Sequence, residues 1–242
     1  MNNGKPLLTA ENLCAGYNGT RILENVSFTL HEKEIICIVG ISGSGKSTLL
    51  KAIMGTFPGT EIYSGDIRLS GVSLPSLPAR QLARFTTEHI GMVFQSPGAS
   101  FNPIRSYRHQ FAETLKSHGR YNPETFFAQV DETFGRLGLT DTRRILSLCP
   151  YEMSGGMNQR IAIALALLMK QEILLSDEPT SALDATIQLQ VAEELKNLPE
   201  KSGLSQIIVT HNLALARFLA DKVYIMREGK LTLAPETGEV VL

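Results

Sequence analysis

The sequence contains no tryptophan and only three cysteines among 242 residues, and its formal net charge is only −1. Cys14, Cys37 and Cys149 are far apart, odd in number and without CxxC spacing, so they predict neither a disulfide framework nor a zinc site. We expect reduced thiols, as in a cytosolic protein. Because nucleic-acid-binding domains usually carry a basic excess, we expect no nucleic-acid partner.

Long hydrophobic runs are also missing. The longest apolar segment, residues 161–169, is far shorter than the ~20 residues that span a bilayer. Residues 1–10 lack a long apolar stretch behind a basic start, so we expect no signal peptide there. Hydrophobic residues nevertheless make up 43% of the chain, which predicts a packed core. If this protein acts at a membrane, we therefore expect it to be a peripheral subunit.

Short apolar runs alternate with stretches of helical character. We interpret four of these runs as buried strands: residues 35–39, 90–94, 172–176 and 206–210. Residues 47–54 have helical character and end at Gly55. This alternation predicts a parallel sheet with helices on both faces. We interpret the glycine-containing segments 16–19 and 65–71 as turns between short strands.

The middle of the chain has a different pattern. From residue 96 to about residue 156 the strand signals disappear. Segments 111–116, 125–137 and 141–148 are typical of helices, with Pro103, Pro123 and Pro150 as breaks. We therefore predict a helical insertion within the α/β domain.

Residues 40–47, GISGSGKS, match the phosphate-loop pattern GxxxxGK[ST] at every position. An apolar strand precedes the motif and a helix follows it, as the pattern requires. Glycines allow backbone N–H groups to turn inward around a phosphate chain, and the helix adds its positive N-terminal end. We expect Lys46 to reach the β- and γ-phosphates and the Ser47 hydroxyl to bind Mg²⁺.

Polar residues follow three of the other predicted strands. Asp177 and Glu178 end the run 172–176, where ligands bind at the mouth of a parallel sheet. Asp177 suits a Mg²⁺ shell, and Glu178 could polarise an attacking water. His211 is a candidate γ-phosphate sensor, and Gln95 could ligate Mg²⁺ or orient water. Taken alone, each could instead be a solvated or structural residue.

The segment SGGMNQ, residues 154–159, opens an apolar helix at residues 160–169. A glycine-rich helix start binds anions by the same physics as the phosphate loop. The chain thus has two phosphate-binding helix starts but one phosphate-loop lysine, which favours a nucleotide clamped between two subunits. A flexible loop before a core helix is the alternative for this segment alone.

Together these motifs resemble the nucleotide-binding subunit of ABC transporters, in order and over nearly the whole chain. The resemblance assigns a Walker A loop, a Q-loop at Gln95, a signature at 154–159, a Walker B segment, a D-loop at 181–184 and a switch His211. Tyr17, which lies 23 residues before Gly40, resembles the aromatic residue that stacks on adenine.

The resemblance implies an α/β fold with a RecA-like P-loop NTPase core, an antiparallel β subdomain and an inserted α-helical subdomain. It implies a single nucleotide-binding domain over residues 1–242. The core and β subdomain would occupy 1–95 and 157–242, and the helical subdomain 96–156.

ATP and Mg²⁺ are the implied cofactors. The residues expected to contact the nucleotide are Tyr17, Gly40, Ser42, Gly43, Ser44, Gly45, Lys46, Ser47, Thr48, Ser154, Gly155, Gly156, Gln159 and Asp184. The residues expected to take part in catalysis are Glu178, His211 and Gln95. The residues expected to hold the metal are Ser47, Gln95 and Asp177.

The implied function is ATP hydrolysis that powers an importer from the cytoplasmic face of the inner membrane. The implied partners are a second ABC ATPase subunit, identical or different, two transmembrane permease subunits and a substrate-binding protein. Residues 96–156 would touch a coupling helix of the membrane subunit. A soluble ABC ATPase without a transport role and a P-loop kinase remain as alternatives.

A finer resemblance is to the oligopeptide, dipeptide and nickel uptake subfamily. It is carried by FQSPGASFNP at 94–103 and PYEMSGGM at 150–157. The chain departs from that pattern with Met153 before the serine and with Asn158 where the subfamily usually has arginine. No cysteine-containing extension follows the last core strand, which favours a nickel or other metal-chelate substrate over a peptide.

Overall fold

The computed structural model of the chain describes residues 5–95, 100–181 and 183–235. The strands are β1 (Pro6–Tyr17), β2 (Thr20–His31), β3 (Ile35–Val39), β4 (Thr60–Leu69), β5 (Val72–Ser73), β6 (Ile90–Val93), β7 (Ile173–Asp177), β8 (Ser205–Thr210), β9 (Lys222–Arg227) and β10 (Lys230–Leu233). The helices are α1 (Lys46–Met54), α2 (Ala79–His89), α3 (Tyr107–Ser117), α4 (Phe126–Arg136), α5 (Thr142–Ser147), α6 (Gly155–Leu168), α7 (Ala185–Ser202) and α8 (Leu213–Leu219), with a 3₁₀ turn at Pro150–Glu152.

The larger sheet has the strand order β10-β9-β3-β8-β7-β6. Strands β9, β3, β8, β7 and β6 run parallel, and β10 pairs antiparallel with β9. The predicted parallel sheet is therefore confirmed. Within the described ranges, no helix is both long enough and apolar enough to cross a membrane.

The smaller sheet is antiparallel, with the order β2-β1-β4-β5. The turns predicted in segments 16–19 and 65–71 are confirmed at residues 18–19 and 70–71. The strands are longer than the sequence indicated, and the assignment of Gly16 and Gly65 to those turns was wrong because both lie inside strands. Gly65 has a φ of 86°, and the pairing of β1 with β4 shifts register between Glu11 and Cys14. A glycine in such an irregularity bends the strand without ending it.

Two hydrophobic cores lie on opposite faces of the larger sheet, and the side chains of β3 contribute to both. Its five residues are all buried, and they alternate between the cores. Ile35, Cys37 and Val39 pack with the helical insertion and with helices α6 to α8. Ile36 and Ile38 pack with the smaller sheet and α1. Period-two alternation with apolar residues on both faces holds the strand and its end firmly in place.

The predicted helical insertion is confirmed as α3, α4 and α5. Tyr107, Phe111 and Phe134 are fully buried there, and their rings meet edge to face at centroid distances of 6.5 and 6.0 Å. Helix α3 begins at Tyr107, four residues earlier than predicted, because Tyr107 and Phe111 occupy the same face one turn apart. This aromatic core packs α3 against the start of α6.

Candidate functional site

The phosphate loop connects β3 to α1. Gly45, the last residue before the helix, has a φ of 110°, and a Cβ there would lie 3.0 Å from the Leu23 side chain. Only glycine satisfies both conditions without strain. The Ser44 carbonyl accepts a 3.0 Å hydrogen bond from Gly229 N, which fixes the loop to the β9–β10 turn. The loop is therefore held by the surrounding fold.

Lys46, the first residue of α1, is buried, and its Nζ donates to the carbonyls of Gly40 and Ile41, each at 2.8 Å. Burial lowers the pKa of this ammonium group, and the charges of Glu178 and Asp177 oppose that shift. Phosphate oxygens are stronger acceptors for a cation than neutral carbonyls. The lysine therefore has donors that an arriving phosphate could recruit.

Asp177 ends β7 in a buried position. Burial raises the pKa of its carboxyl group, while a hydrogen bond from the Ser47 side chain acts in the opposite direction. Ser47, Asp177 and Gln95 line one cavity and together offer hydroxyl, carboxylate and amide oxygens. Mg²⁺ prefers oxygen ligands, so the donor set fits this ion.

Glu178 is clamped on both its backbone and its side chain. Its φ is 51°, in the left-handed region that residues other than glycine rarely adopt, and its N–H donates to Val209 O at 2.9 Å. Its Oε1 lies 2.9 Å from His211 Nδ1, and its Oε2 accepts from the Thr210 hydroxyl at 3.3 Å. Sequence reasoning missed Thr210, although a hydroxyl residue directly before His211 at a strand end was a usable signal.

These side chains meet in a cavity of about 450 Å³, which we call the strand-end cavity. Its lining residues are Tyr17, Ile22, Ser42, Gly43, Gly45, Lys46, Ser47, Thr48, Gln95, Asp177, Glu178 and His211. The ends of four parallel strands supply its polar groups, as the sequence predicted, and the smaller sheet adds Tyr17 and Ile22. Gly40 and Ser44 belong to the same loop but do not line the cavity. Lys51 Nζ lies 5.8 Å from the centroid of the Tyr17 ring.

The signature residues do not line this cavity. Helix α6 begins at Gly155, earlier than the sequence indicated, and Ser154 caps it by accepting a 3.3 Å hydrogen bond from Met157 N. Asp184 caps α7 in the same way, with its Oδ1 3.1 Å from Ile187 N. Both caps are exposed. Residue 182 of the predicted D-loop and residues 96–99 of the predicted Q-loop segment lie outside the described residues.

The two polar residues that follow the signature glycines point inward. Asn158 is buried, accepts a hydrogen bond from the Tyr107 hydroxyl, and donates to Pro150 O at 3.0 Å and Met153 O at 3.3 Å. The amide at this position thus ties α6 to the helical insertion. Gln159 is fully buried and donates to the Glu178 carbonyl at 2.9 Å. A direct nucleotide contact needs an exposed atom, which Gln159 does not offer in this structure.

The sequence model of the ABC transporter family matches residues 23–181. The chain is 34% identical to the oligopeptide transport ATP-binding protein OppD of Haemophilus influenzae, covering 93% of this chain and 71% of that protein. It is 36% identical to the metal-staphylopine import system ATP-binding protein CntD of Staphylococcus aureus, covering 87% of this chain and 78% of that protein. It matches a dimeric structure of the ATP-binding cassette MJ0796 bound to ADP and Pi with a TM-score of 0.84 and 27% identity, covering 96% of this chain and all of that one.

The chain therefore belongs to the ABC transporter family, and its fold is that of the family's ATP-binding cassette. Coverage of its relatives varies. The chain is 35% identical to the peptidoglycan transport ATP-binding protein YejF of Agrobacterium fabrum over 98% of its own length, yet it spans only 44% of that protein.

Proposed function

We propose that the chain is an ATP-hydrolysing subunit that powers uptake through a membrane importer. The observation that carries the proposal is the meeting of the phosphate loop, Asp177, Glu178 and His211 in the strand-end cavity. Ligands of open parallel sheets bind at the carboxyl ends of the strands. A loop that binds phosphates next to a clamped acid supports phosphoryl transfer to water.

The phosphate loop binds the triphosphate through its inward backbone N–H groups and the N-terminal end of α1. Lys46 turns its donors from the carbonyls of Gly40 and Ile41 to phosphate oxygens. Mg²⁺, held by Ser47, Asp177 and Gln95, would neutralise phosphate charge when bound. Tyr17, at the rim, stacks on the adenine.

Glu178 orients a water molecule in line with the γ-phosphate and accepts its proton at a side-chain oxygen. His211 Nδ1, which is 2.9 Å from Glu178 Oε1, fixes the direction of the carboxylate. Thr210 donates to the other oxygen and restricts it further. The acid therefore needs little reorganisation before proton transfer.

A second subunit completes the site in this proposal. A glycine-rich helix start can bind an anion. At the start of α6, Ser154 and Gly155 are exposed and Gly156 is half-buried, and Asp184 is also exposed. They would contact nucleotide held in the strand-end cavity of the other subunit. The dimeric structures of the similar cassette MJ0796 support this assembly. The chain would act as one nucleotide-binding domain, with residues 96–156 as its helical subdomain.

The further partners would be two transmembrane permease subunits and a substrate-binding protein, with the chain at the cytoplasmic face of the inner membrane. Relatives named for oligopeptide and metal-staphylopine transport favour a peptide or metal chelate as substrate, with nickel among the candidates. Ile104 and Tyr151 are 78% and 70% exposed in the helical insertion and could meet a permease there.

ATP binding and hydrolysis by the purified chain test the proposal. We expect Lys46→Ala to weaken ATP binding by about 10- to 100-fold, since a charge-assisted phosphate contact is lost. Lys116→Ala, in α3 and outside the cavity lining, serves as the matched control and should bind as the wild type does. Equal ATP affinity of all three proteins would remove the role given to the phosphate loop.

The transport role needs a separate test. A deletion strain should grow poorly either on limiting nickel or on limiting peptide, and the wild-type gene should restore growth while the Glu178→Gln gene should not. The tagged chain should also co-purify with multi-span membrane proteins. If the chain hydrolysed ATP but supported no uptake and copurified with no membrane protein, the result would favour the alternative of a soluble ATPase without a transport role.

A further inference from the structure

The Glu178 carbonyl is a second point at which this acid is held, apart from its side chain. It accepts three hydrogen bonds: from Gln159 Nε2 at 2.9 Å, from Ser181 Oγ at 3.1 Å and from Ser181 N at 3.2 Å. The Ser181 bonds are local, since that residue lies three positions further along the chain. Gln159 alone among these donors belongs to a different element, the first turns of α6.

The hydrogen bond from Gln159 matters because the backbone of Glu178 is in the left-handed region. Residues other than glycine persist in that region only when their surroundings over-determine them. Because the carbonyl carbon is bonded to the Glu178 Cα, a displacement of this carbonyl would also move the Cα and the side chain that it carries. The amide of Gln159 therefore helps to set where the carboxylate points.

Among the described residues, the side chain of Gln159 makes a single hydrogen bond, the one to the Glu178 carbonyl. Its side chain is fully buried, and its Oε1 has no hydrogen-bond partner among the described residues. A buried acceptor without a partner destabilises the fold, whereas an apolar side chain of similar volume would avoid that cost. The one bond that the amide makes is the feature that a methionine of the same length would lose.

The position of Gln159 connects two parts of the molecule. Gly155 and Gly156 form the start of α6, where Gly155 is exposed, and Gln159 lies about one turn further along the same helix. The adjacent Asn158 is bound to Tyr107 of the helical insertion. A shift of the α6 start would therefore move the donor that holds Glu178.

We propose that Gln159 is a positioning residue for Glu178, which links occupancy of the α6 start to the hydrolytic acid of the same chain. The inference rests on the proposed function, in which the α6 start contacts nucleotide bound by the other subunit. Engagement of that nucleotide would hold α6 in place, and Gln159 would pass this constraint to the Glu178 backbone. Each subunit would thereby sense the other subunit's nucleotide.

Gln159→Met tests the proposal because it keeps length and burial but removes the donor. We expect kcat for ATP hydrolysis to fall by about 10- to 100-fold, as for a small misplacement of a catalytic group. KM for ATP and the melting temperature should stay close to wild type, since the phosphate loop is untouched.

Gln206→Met is a matched control. Gln206 is also fully buried and also donates from Nε2 to a main-chain carbonyl, that of Leu195 at 2.6 Å. Its Oε1 likewise has no partner in the part of the chain that the structure describes. It does not contact Glu178. A selective loss of kcat in Gln159→Met alone supports the proposal, whereas equal kcat losses in both variants, or none in either, overturn it.

Gln159→Glu covers the case in which the methionine variant does not fold. Its carboxyl group can donate to the Glu178 carbonyl only when protonated, and burial raises the pKa of such a group. The kcat of this variant relative to wild type should therefore rise as the pH falls. A ratio that is flat with pH in a folded variant overturns the proposal. Wild-type protein that neither binds nor hydrolyses ATP would instead remove the proposed function itself.

Discussion

The strand-end cavity and the start of α6 are both phosphate-binding candidates, yet they are built in opposite ways. The cavity gathers side chains from four strand ends and from the smaller sheet, and its acids are buried. The α6 start consists of consecutive, largely exposed residues, and Ser154 makes a local cap there. The first therefore depends on the whole fold, whereas the second depends on a short stretch of chain.

The contrast has a physical consequence for how the two could work. Buried, clamped groups such as Glu178 suit chemistry, because a water-excluding site strengthens electrostatic interactions. An exposed helix start suits recognition, because its N–H groups are already aimed at solvent and can accept an anion with little rearrangement. The inward residues Asn158 and Gln159 connect the recognition part to the fold and to the acid.

Glu178→Gln gives the largest expected effect and belongs to the cavity. An amide cannot accept the proton of the attacking water, so kcat should fall by about 10²- to 10⁴-fold. ATP binding should persist, because the phosphate loop and Lys46 are intact. Steady-state hydrolysis and equilibrium binding of the purified variant measure the two quantities, and a variant that turns over at the wild-type rate removes Glu178 as the base.

Much of the cavity could be predicted from the sequence because its signals are local. The phosphate-loop pattern spans eight residues, and the strand ends that carry Gln95, Asp177 and His211 are marked by short apolar runs. The rule that parallel strands end at one edge then brings these residues together. The structure agrees with that prediction within one residue for each of these strands.

The inner face of α6 could not be predicted in the same way. Asn158 meets Tyr107, which is 51 positions away, and Gln159 meets Glu178, which is 19 positions away. No local pattern encodes these partners, because they depend on how the helical insertion and β7 pack. The bend at Gly65 was missed for a similar reason, since a glycine in a strand and a glycine in a turn look alike in sequence.

Tyr107→Phe tests the link between the helical insertion and α6. Loss of the hydroxyl leaves Asn158 Oδ1 buried without its donor, so the free energy of unfolding should fall by about 1–3 kcal/mol. Tyr151→Phe, which removes a hydroxyl from an exposed ring, is the matched control and should change stability little. Urea denaturation of both variants gives the comparison, and equal stabilities would mean that the buried pair contributes nothing.

Ser154→Ala tests the exposed start of α6. The cap contributes about 1 kcal/mol to the helix, and the variant should lose a comparable amount of stability. If the start also binds nucleotide across a dimer, turnover should fall by about 10-fold while ATP binding by the monomer is unchanged. Asp141→Gly removes a similar cap from α5, where glycine suits the φ of 63°, and should leave turnover intact. If Ser154→Ala and Asp141→Gly both lost turnover, loss of helix stability would explain the result, and no nucleotide contact by Ser154 would be needed.

The smallest expected effect lies at the N-terminal end of β3, the opposite end of this strand from the phosphate loop. Glu34 precedes β3, and its carboxylate lies 2.7 Å from Lys222 Nζ and accepts from His31 N at 2.8 Å. Burial opposes its ionisation, but the hydrogen bonds from Lys222 and His31 outweigh burial and hold its pKa below the ordinary value of 4.5.

A lowered pKa in the folded state stabilises the protein above the pKa of the unfolded chain, and this contribution disappears as the pH falls through the folded value. The free energy of unfolding of the wild type should therefore decline more steeply below about pH 4.5 than that of Glu34→Gln. Urea denaturation between pH 7 and pH 3 measures the difference, and parallel curves would contradict the assignment. ATP hydrolysis at neutral pH should be the same in both proteins, because Glu34, Lys222 and His31 line neither the strand-end cavity nor the α6 start.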